Sequence, residues 1–198
     1  MKVEATRAYR MTARADAAAR TGEQILNAAL ELFWESPTTD IPLDAVAARA
    51  GVSVRTVIRR FGSKEDLFAA AAALQTGRVG AQREDAPVGD VAGAVTVLVE
   101  HYEQIGDGVL RMLAAEQSMP ALTPIVENGR TLHWDWCRRV FAPVLDRLPP
   151  AQRHQRLAEL VAITDVYMWK ILRRDAGLSR AQTQSSLVRI LTRMIKES

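Results

Sequence analysis

Ala50–Leu67 reads AGVSVRTVIRRFGSKEDL, and this stretch decides the fold. It follows a short helical segment, Leu43–Ala50, and Gly51 is placed to take the left-handed conformation that closes such a helix. Ser53 can then cap a second short helix that ends near Phe61. Gly62 breaks that helix. Ser63 starts another, with Asp66 three residues on in a variant of the capping box. Two short helices around a glycine turn can hold the second one in a major groove. Ala47, Val52, Val57 and Phe61 are spaced to pack inward, which leaves Val54, Arg55, Ile58 and Arg59 outward. An arginine there can bind O6 and N7 of guanine with two hydrogen bonds, and Val54 can touch a thymine methyl. Ser53, Thr56, Arg60 and Lys64 are placed for phosphate oxygens. The amides that open the helix after Ser63 favour a phosphate as well.

Charge supports the same reading locally rather than globally. The chain has 198 residues with 26 basic and 23 acidic side chains, a net charge of +3. That excess does not by itself imply a polyanionic partner. Four of the bases are Lys and the rest are Arg, a bias that a GC-rich genome also produces. Between Arg49 and Lys64, however, stand Arg49, Arg55, Arg59, Arg60 and Lys64 with no acid among them. Outward from this stretch, helix formers dominate and strand signals are nearly absent, so the chain reads as all-α with about nine helices. Thr21–Glu35 carries Ile25, Ala28, Ala29, Leu32 and Phe33 at helical spacing. Thr21 and Gln24 resemble a capping box, and Ser36-Pro37 ends that helix. A long helix runs from Lys64 to about Glu84. Later helices are expected near 88–105, 107–118, 121–147, 150–175 and 179–196.

The stretches QILNAALELFWE and DAVAARAGVSVRTVIRRFGSKEDLF, within residues 20–67, resemble the N-terminal DNA-binding domain of the TetR family of transcriptional regulators. The resemblance implies a three-helix DNA-binding domain with a helix-turn-helix, followed by a helical regulatory and dimerisation domain. It also implies a homodimer on a palindromic double-stranded DNA operator, with the fourth helix linking the domains. The DNA-contacting set is then Ser53, Val54, Arg55, Thr56, Ile58, Arg59, Arg60 and Lys64. The chain departs from the family pattern in three places. Ser36-Pro37 stand where a Gly is usual, Pro42 stands where a capping Thr is usual, and Ile58 stands where a Tyr is common. Phosphate binding therefore leans on Arg59, Arg60 and Lys64.

The domains expected are a flexible basic N-terminal arm at 1–19, a DNA-binding domain at 20–67, and a ligand-binding and dimerisation domain at 68–198. The arm carries four bases and two acids, and such arms can enter a minor groove. The two C-terminal helices have apolar stripes, Leu157 to Leu172 and Leu187 to Ile195. These suit pairing across a two-fold axis, although the same stripes also suit packing within one domain. His101, Tyr102, Met112, Trp134, Cys137 and Tyr167 are the candidates for a pocket that takes a small apolar effector. Trp134 and Trp136 are two residues apart and cannot share a helix face.

No catalytic residue, metal ligand set or cofactor motif is evident. The residues three before the histidines are Leu98, Arg130 and Ala151, so the Glu-x-x-His of a di-metal bundle is absent. No phosphate-loop, dinucleotide or nucleophile-elbow motif occurs. The single cysteine, Cys137, excludes an intrachain disulfide. No run of 18 apolar residues occurs, so no membrane partner is expected and a cytoplasmic location is. The function expected is a repressor released from its operator by the effector. The alternatives are a helix-turn-helix regulator without small-molecule control and, further off, an all-α enzyme.

Overall fold

Ile25, Ala28 and Ala29 are buried at helical spacing and form the floor on which the N-terminal unit closes. The computed structural model describes residues 2–35, 41–118 and 120–196. Helix α1 is Lys2–Glu35, α2 is Leu43–Arg49, α3 is Val54–Phe61 and α4 is Lys64–Glu84. Val46, Ala47, Val57, Leu67 and Ala71 are buried with the α1 residues in one core. The fold is all-helical, as expected.

Two expectations at this end are corrected. The segment 1–19, expected as a flexible arm, belongs to helix α1 from Lys2 onward. Thr21 is therefore not a cap. It lies inside the helix, and its hydroxyl donates back to the Ala17 carbonyl at 2.9 Å. The expected stop at Ser36-Pro37 lies outside the described residues. Pro42 opens α2 with an extended backbone and no side-chain cap.

The chain divides into two compact units, one ending at Gln75 and the other starting at Thr76. The boundary expected after residue 67 thus moves into α4. The reason is packing, because Ala71 is buried in the N-terminal core and Phe68 and Leu74 pack against it.

The second unit takes in the end of α4, then α5 Val91–Ala115, α6 Thr123–Val140, α7 Ala142–Leu145, α8 Pro150–Thr164, α9 Val166–Lys170 and α10 Arg180–Lys196. A three-residue 3₁₀ turn precedes α6, and a π-helical turn, Ile171–Asp175, follows α9. One expected break is absent and two unexpected ones are present. The segments 88–105 and 107–118 are one helix, capped by Asp90, whose carboxylate accepts from the amides of Ala92 and Gly93. Gly106 does not break α5 because its missing side chain serves packing. A Cβ there would stand 2.7 Å from Cζ3 of the fully buried Trp169. The helix expected at 121–147 stops at Phe141, ahead of Pro143. The one expected at 150–175 breaks at Asp165, whose extended backbone and carboxylate cap α9 through the Tyr167 amide.

The core of this unit joins Val95, Leu98, Val99 and Tyr102 of α5 to Trp136, Cys137 and Val140 of α6, with Leu160, Trp169, Leu187 and Leu191. Leu157, Leu160, Leu187 and Leu191 of the two C-terminal stripes are thus used within the chain. Two ion pairs, Glu103–Arg173 and Asp107–Arg174, fasten the π-helical turn to α5. Gly106→Ala should cost about 1–3 kcal/mol, because the indole has nowhere to move. Gly77→Ala, where an added Cβ meets open space in α4, should be neutral or stabilising by up to about 1 kcal/mol. Thermal unfolding followed by circular dichroism separates the two.

Candidate nucleic-acid interface

Helix α3 is eight residues long, too short to persist alone in water. It is held by its ends and by one buried side chain. Gly51, at φ +66°, makes the turn out of α2 that a side chain would strain. The Ser53 hydroxyl accepts the Thr56 amide at 3.2 Å and shares a 3.0 Å hydrogen bond with the Thr56 hydroxyl. Val57 is buried, and that fixes the rotation of the helix. Arg55, Ile58, Arg59 and Arg60 then face water, with Ile58 47% exposed. Ile58 is thus a large apolar side chain left open on an otherwise polar face.

The remaining expected contacts are placed unevenly. Val54 is half-buried against the N-terminal core, so it is less available than its neighbours. Its position at the first turn of α3 explains the difference, since that turn packs down on the unit. Ser53 and Thr56 spend one hydrogen bond on each other but keep spare capacity. The guanidinium of Arg60 lies over α1, where a Cβ on Gly22 would come within 3.1 Å of Nε. Ala17, Ala18 and Thr21 of α1 and Thr56, Arg59 and Arg60 of α3 line a shallow cleft of about 360 Å³. Lys64 opens α4, and the Ser63 hydroxyl accepts the Asp66 amide and donates to its carboxylate.

Arg49 leaves the basic set. Its guanidinium bridges both Glu35 carboxylate oxygens at 2.9 and 3.0 Å and reaches Glu31 at 3.3 Å. That hydrogen-bonded cation holds the Glu35 carboxyl below its ordinary range. Four bases, Arg55, Arg59, Arg60 and Lys64, remain for an anion. The residues of the cleft from α1 were missed in the sequence, because the signal lay in the length of α1 and no motif marks it.

The second unit holds a buried polar cluster that sequence reading found only in part. Arg83, at 7% exposure, donates from Nη1 to Nδ1 of His133 at 2.9 Å and from Nη2 to the Tyr102 hydroxyl at 3.4 Å. An arginine only donates, so His133 Nδ1 accepts and its proton sits on Nε2. Nε2–H then donates to the Thr164 hydroxyl at 3.2 Å, which passes its own proton to the Leu160 carbonyl at 2.7 Å. Tyr102 donates to the Thr164 carbonyl at 3.0 Å, and the Cys137 thiol lies 3.3 Å from the Thr164 hydroxyl. His101 donates from Nδ1 to Gln82 at 3.1 Å. Burial, and then the Arg83 charge, push His101 and His133 down to about 3. Burial pushes the Tyr102 phenol and the Cys137 thiol up to about 12.

Of the expected pocket residues, His101, Tyr102 and Cys137 belong to this cluster. Met112 is buried further along α5, with no hydrogen bond or ring contact to it among the described residues. Trp134 is half-buried and stacks on His154, while Trp136 is the inward member of the pair. Tyr167 is 51% exposed on α9, the short helix that starts after the break at Asp165. Arg83 was missed, and Thr164 was read only as part of the stripe from Leu157 to Leu172. An arginine at a helix end carries no sequence signal for burial. Among the described residues no three His, Cys, Asp or Glu side chains converge as a metal ion would require, and no helix is long and apolar enough to cross a membrane.

A short helix carried outward by a glycine turn, acid-free and presenting arginines from a three-helix core, defines a helix-turn-helix domain of the DNA-binding kind. Residues 25–71 match the family model described as "Bacterial regulatory proteins, tetR family". That match lies within the N-terminal unit and does not reach the second one. No curated protein matches it. Among solved structures it is similar to a transcriptional regulator from Rhodococcus sp. RHA1, at 19% identity and a TM-score of 0.67, covering 89% of this chain and 96% of that one. A TetR-family regulator from Streptomyces coelicolor has 18% identity and a TM-score of 0.63, covering 89% and 80%. A multidrug binding protein, EbrR, complexed with imidazole has 23% identity and a TM-score of 0.54, covering 87% and 88%. These likenesses carry the fold across nearly the whole chain.

The neutral histidines set a pH dependence. In the unfolded chain a histidine takes up its proton near 6.5, whereas these two resist it down to about 3. Protons therefore favour the unfolded state across that interval, and stability should fall as pH drops from about 6.5 towards 3. His101→Gln should make the fall of Tm with pH shallower, as read by unfolding scans between pH 7 and 4.

Proposed function

We propose that this chain is a sequence-specific transcriptional regulator that binds a palindromic double-stranded DNA operator as a homodimer. On this reading it is a repressor, released when a small molecule occupies its second unit. The observation that carries the DNA reading is α3 itself, with exposed Arg55, Ile58 and Arg59 on a face fixed by the burial of Val57. Arg55 and Arg59 are the base readers, with Ile58 offering an apolar surface to a thymine methyl. Arg60, Lys64 and the hydroxyls of Ser53 and Thr56 hold phosphates and set the register.

Half-buried Val161 and Val188 on α8 and α10 keep apolar surface for a two-fold partner, which supports the homodimer. The likeness to a multidrug binding protein solved with imidazole supports small-molecule control in this fold. Helix α4 supplies the covalent route, since one 21-residue helix carries Lys64 at its start and Arg83 near its end. An effector acts only if it binds one arrangement of that helix more tightly than another. The state of the Cys137 thiol lends nothing to an enzyme reading. A thiol held near 12 carries almost no thiolate at neutral pH.

Selection of bound sequences from a random DNA pool should return a palindrome, and a failure to enrich any sequence would sink the reading. Arg55→Ala should relax preference at one base position by about 1–3 kcal/mol, read from the selected motif. Lys64→Ala should weaken all sequences alike and lower the salt-dependence slope by about 1, read from binding titrations at several salt concentrations.

A further inference from the structure

Buried polar groups in proteins nearly always find partners, so an orphan needs a reason. Two buried nitrogen donors of the second unit, Nε of Arg83 and Nε1 of Trp136, have no hydrogen-bond acceptor. They are neighbours, since the Arg83 guanidinium carbon lies 5.7 Å from the centre of the Trp136 ring. The two orphan donors therefore belong to one buried neighbourhood. Arg83 is also a cation whose described partners are neutral. His133 and Tyr102 accept from it, and no carboxylate among the described residues pairs with it. A guanidinium so deeply buried without a counter-charge is costly.

The free edge of the guanidinium is specific. Nη1 is committed to His133 at 2.9 Å, whereas Nη2 makes only the long 3.4 Å bond to Tyr102 and Nε makes none. Nε and Nη2 together form the side-on fork that receives the two oxygens of a carboxylate. The charge available is a single unit, because the surrounding imidazoles are neutral, and this favours a monoanion over a phosphate dianion. The rings of Tyr102 and Trp136 flank the guanidinium, and Phe141 meets Trp136 edge-on, aromatic surfaces that suit an apolar body.

We propose that the effector of this protein is an organic carboxylate with an apolar body, held by the Nε–Nη2 edge of Arg83 and by the indole N–H of Trp136. The proposal rests on the effector-controlled reading above and changes the expected ligand from a neutral apolar molecule to an acid. Arg83 lies on α4, so neutralising its charge acts directly on the helix that begins at Lys64.

The test is isothermal titration calorimetry of the full chain with straight-chain carboxylates from acetate to dodecanoate, with benzoate and with phenylacetate, each beside its primary amide. At least one acid should bind about ten-fold or more tightly than its amide. Arg83→Met should abolish that preference. Trp136→Phe, which keeps an aromatic ring but removes the N–H, should weaken the acid about three-fold or more and leave the amide unchanged. The proposal is overturned if no acid binds, if acid and amide bind alike, or if the preference survives Arg83→Met. If Arg83→Met does not fold, Trp136→Phe decides, and unchanged acid binding overturns the proposal. DNA selection on the same preparation keeps the two readings apart. A palindrome without acid preference removes only the carboxylate, while acid preference without sequence-selective DNA binding removes only the operator.

Discussion

Everything on the exposed face of α3 depends on where one side chain, Val57, is allowed to go. Helix α3 is two turns long, and its own hydrogen bonds cannot keep it formed. Burying Val57 against Ile25, Ala28 and Ala29 supplies the tertiary support and also selects one rotation of the helix about its axis. Every other residue of α3 inherits its direction from that choice. Arg55 and Arg59 are spaced one turn apart and face water because Val57, between them, does not. Gly51 and Ser53 serve the same end, one by turning the chain out of α2 and the other by satisfying the first amides of α3.

The second unit is organised around the opposite problem, a charge inside. Arg83 is accommodated by a relay of neutral groups rather than by an acid. His133 accepts from it, Thr164 accepts from His133, and a carbonyl of α8 takes the last proton. The end of α4 is fixed as well, since Arg139 of α6 donates to the carbonyls of Arg83 and Ala86 at 2.7 and 3.0 Å. These bonds satisfy carbonyls that the end of a helix leaves without partners.

The N-terminal unit was largely legible in the sequence because its determinants are local. The turn at Gly51, the cap at Ser53, the start at Ser63 and the inward spacing of Ala47 and Val57 are all set by near neighbours along the chain. What failed there depended on distance. The pairing of Arg49 with Glu35 needed α1 and α2 to be placed side by side, and the half-burial of Val54 needed the whole core. In the second unit the failures have the same cause. Gly106 reads as a helix breaker until Trp169, sixty-three positions on, takes the space beside it. Arg83 reads as a surface arginine until His133 and Tyr102 arrive from other helices. Tyr167 reads as a pocket residue until the chain turns at Asp165.

That turn also decides how a buried hydroxyl is anchored. Because α8 stops at Thr164, its last carbonyl is released from helical bonding and becomes the acceptor for the Tyr102 hydroxyl. A helix running straight through position 165 would set a main-chain amide on that carbonyl, and the phenol would have to share it. The bend therefore gives the phenol an acceptor whose lone pairs are not divided with the helix, and a side chain of α5 is tied to the end of α8 by a main-chain atom that no substitution at position 164 can remove.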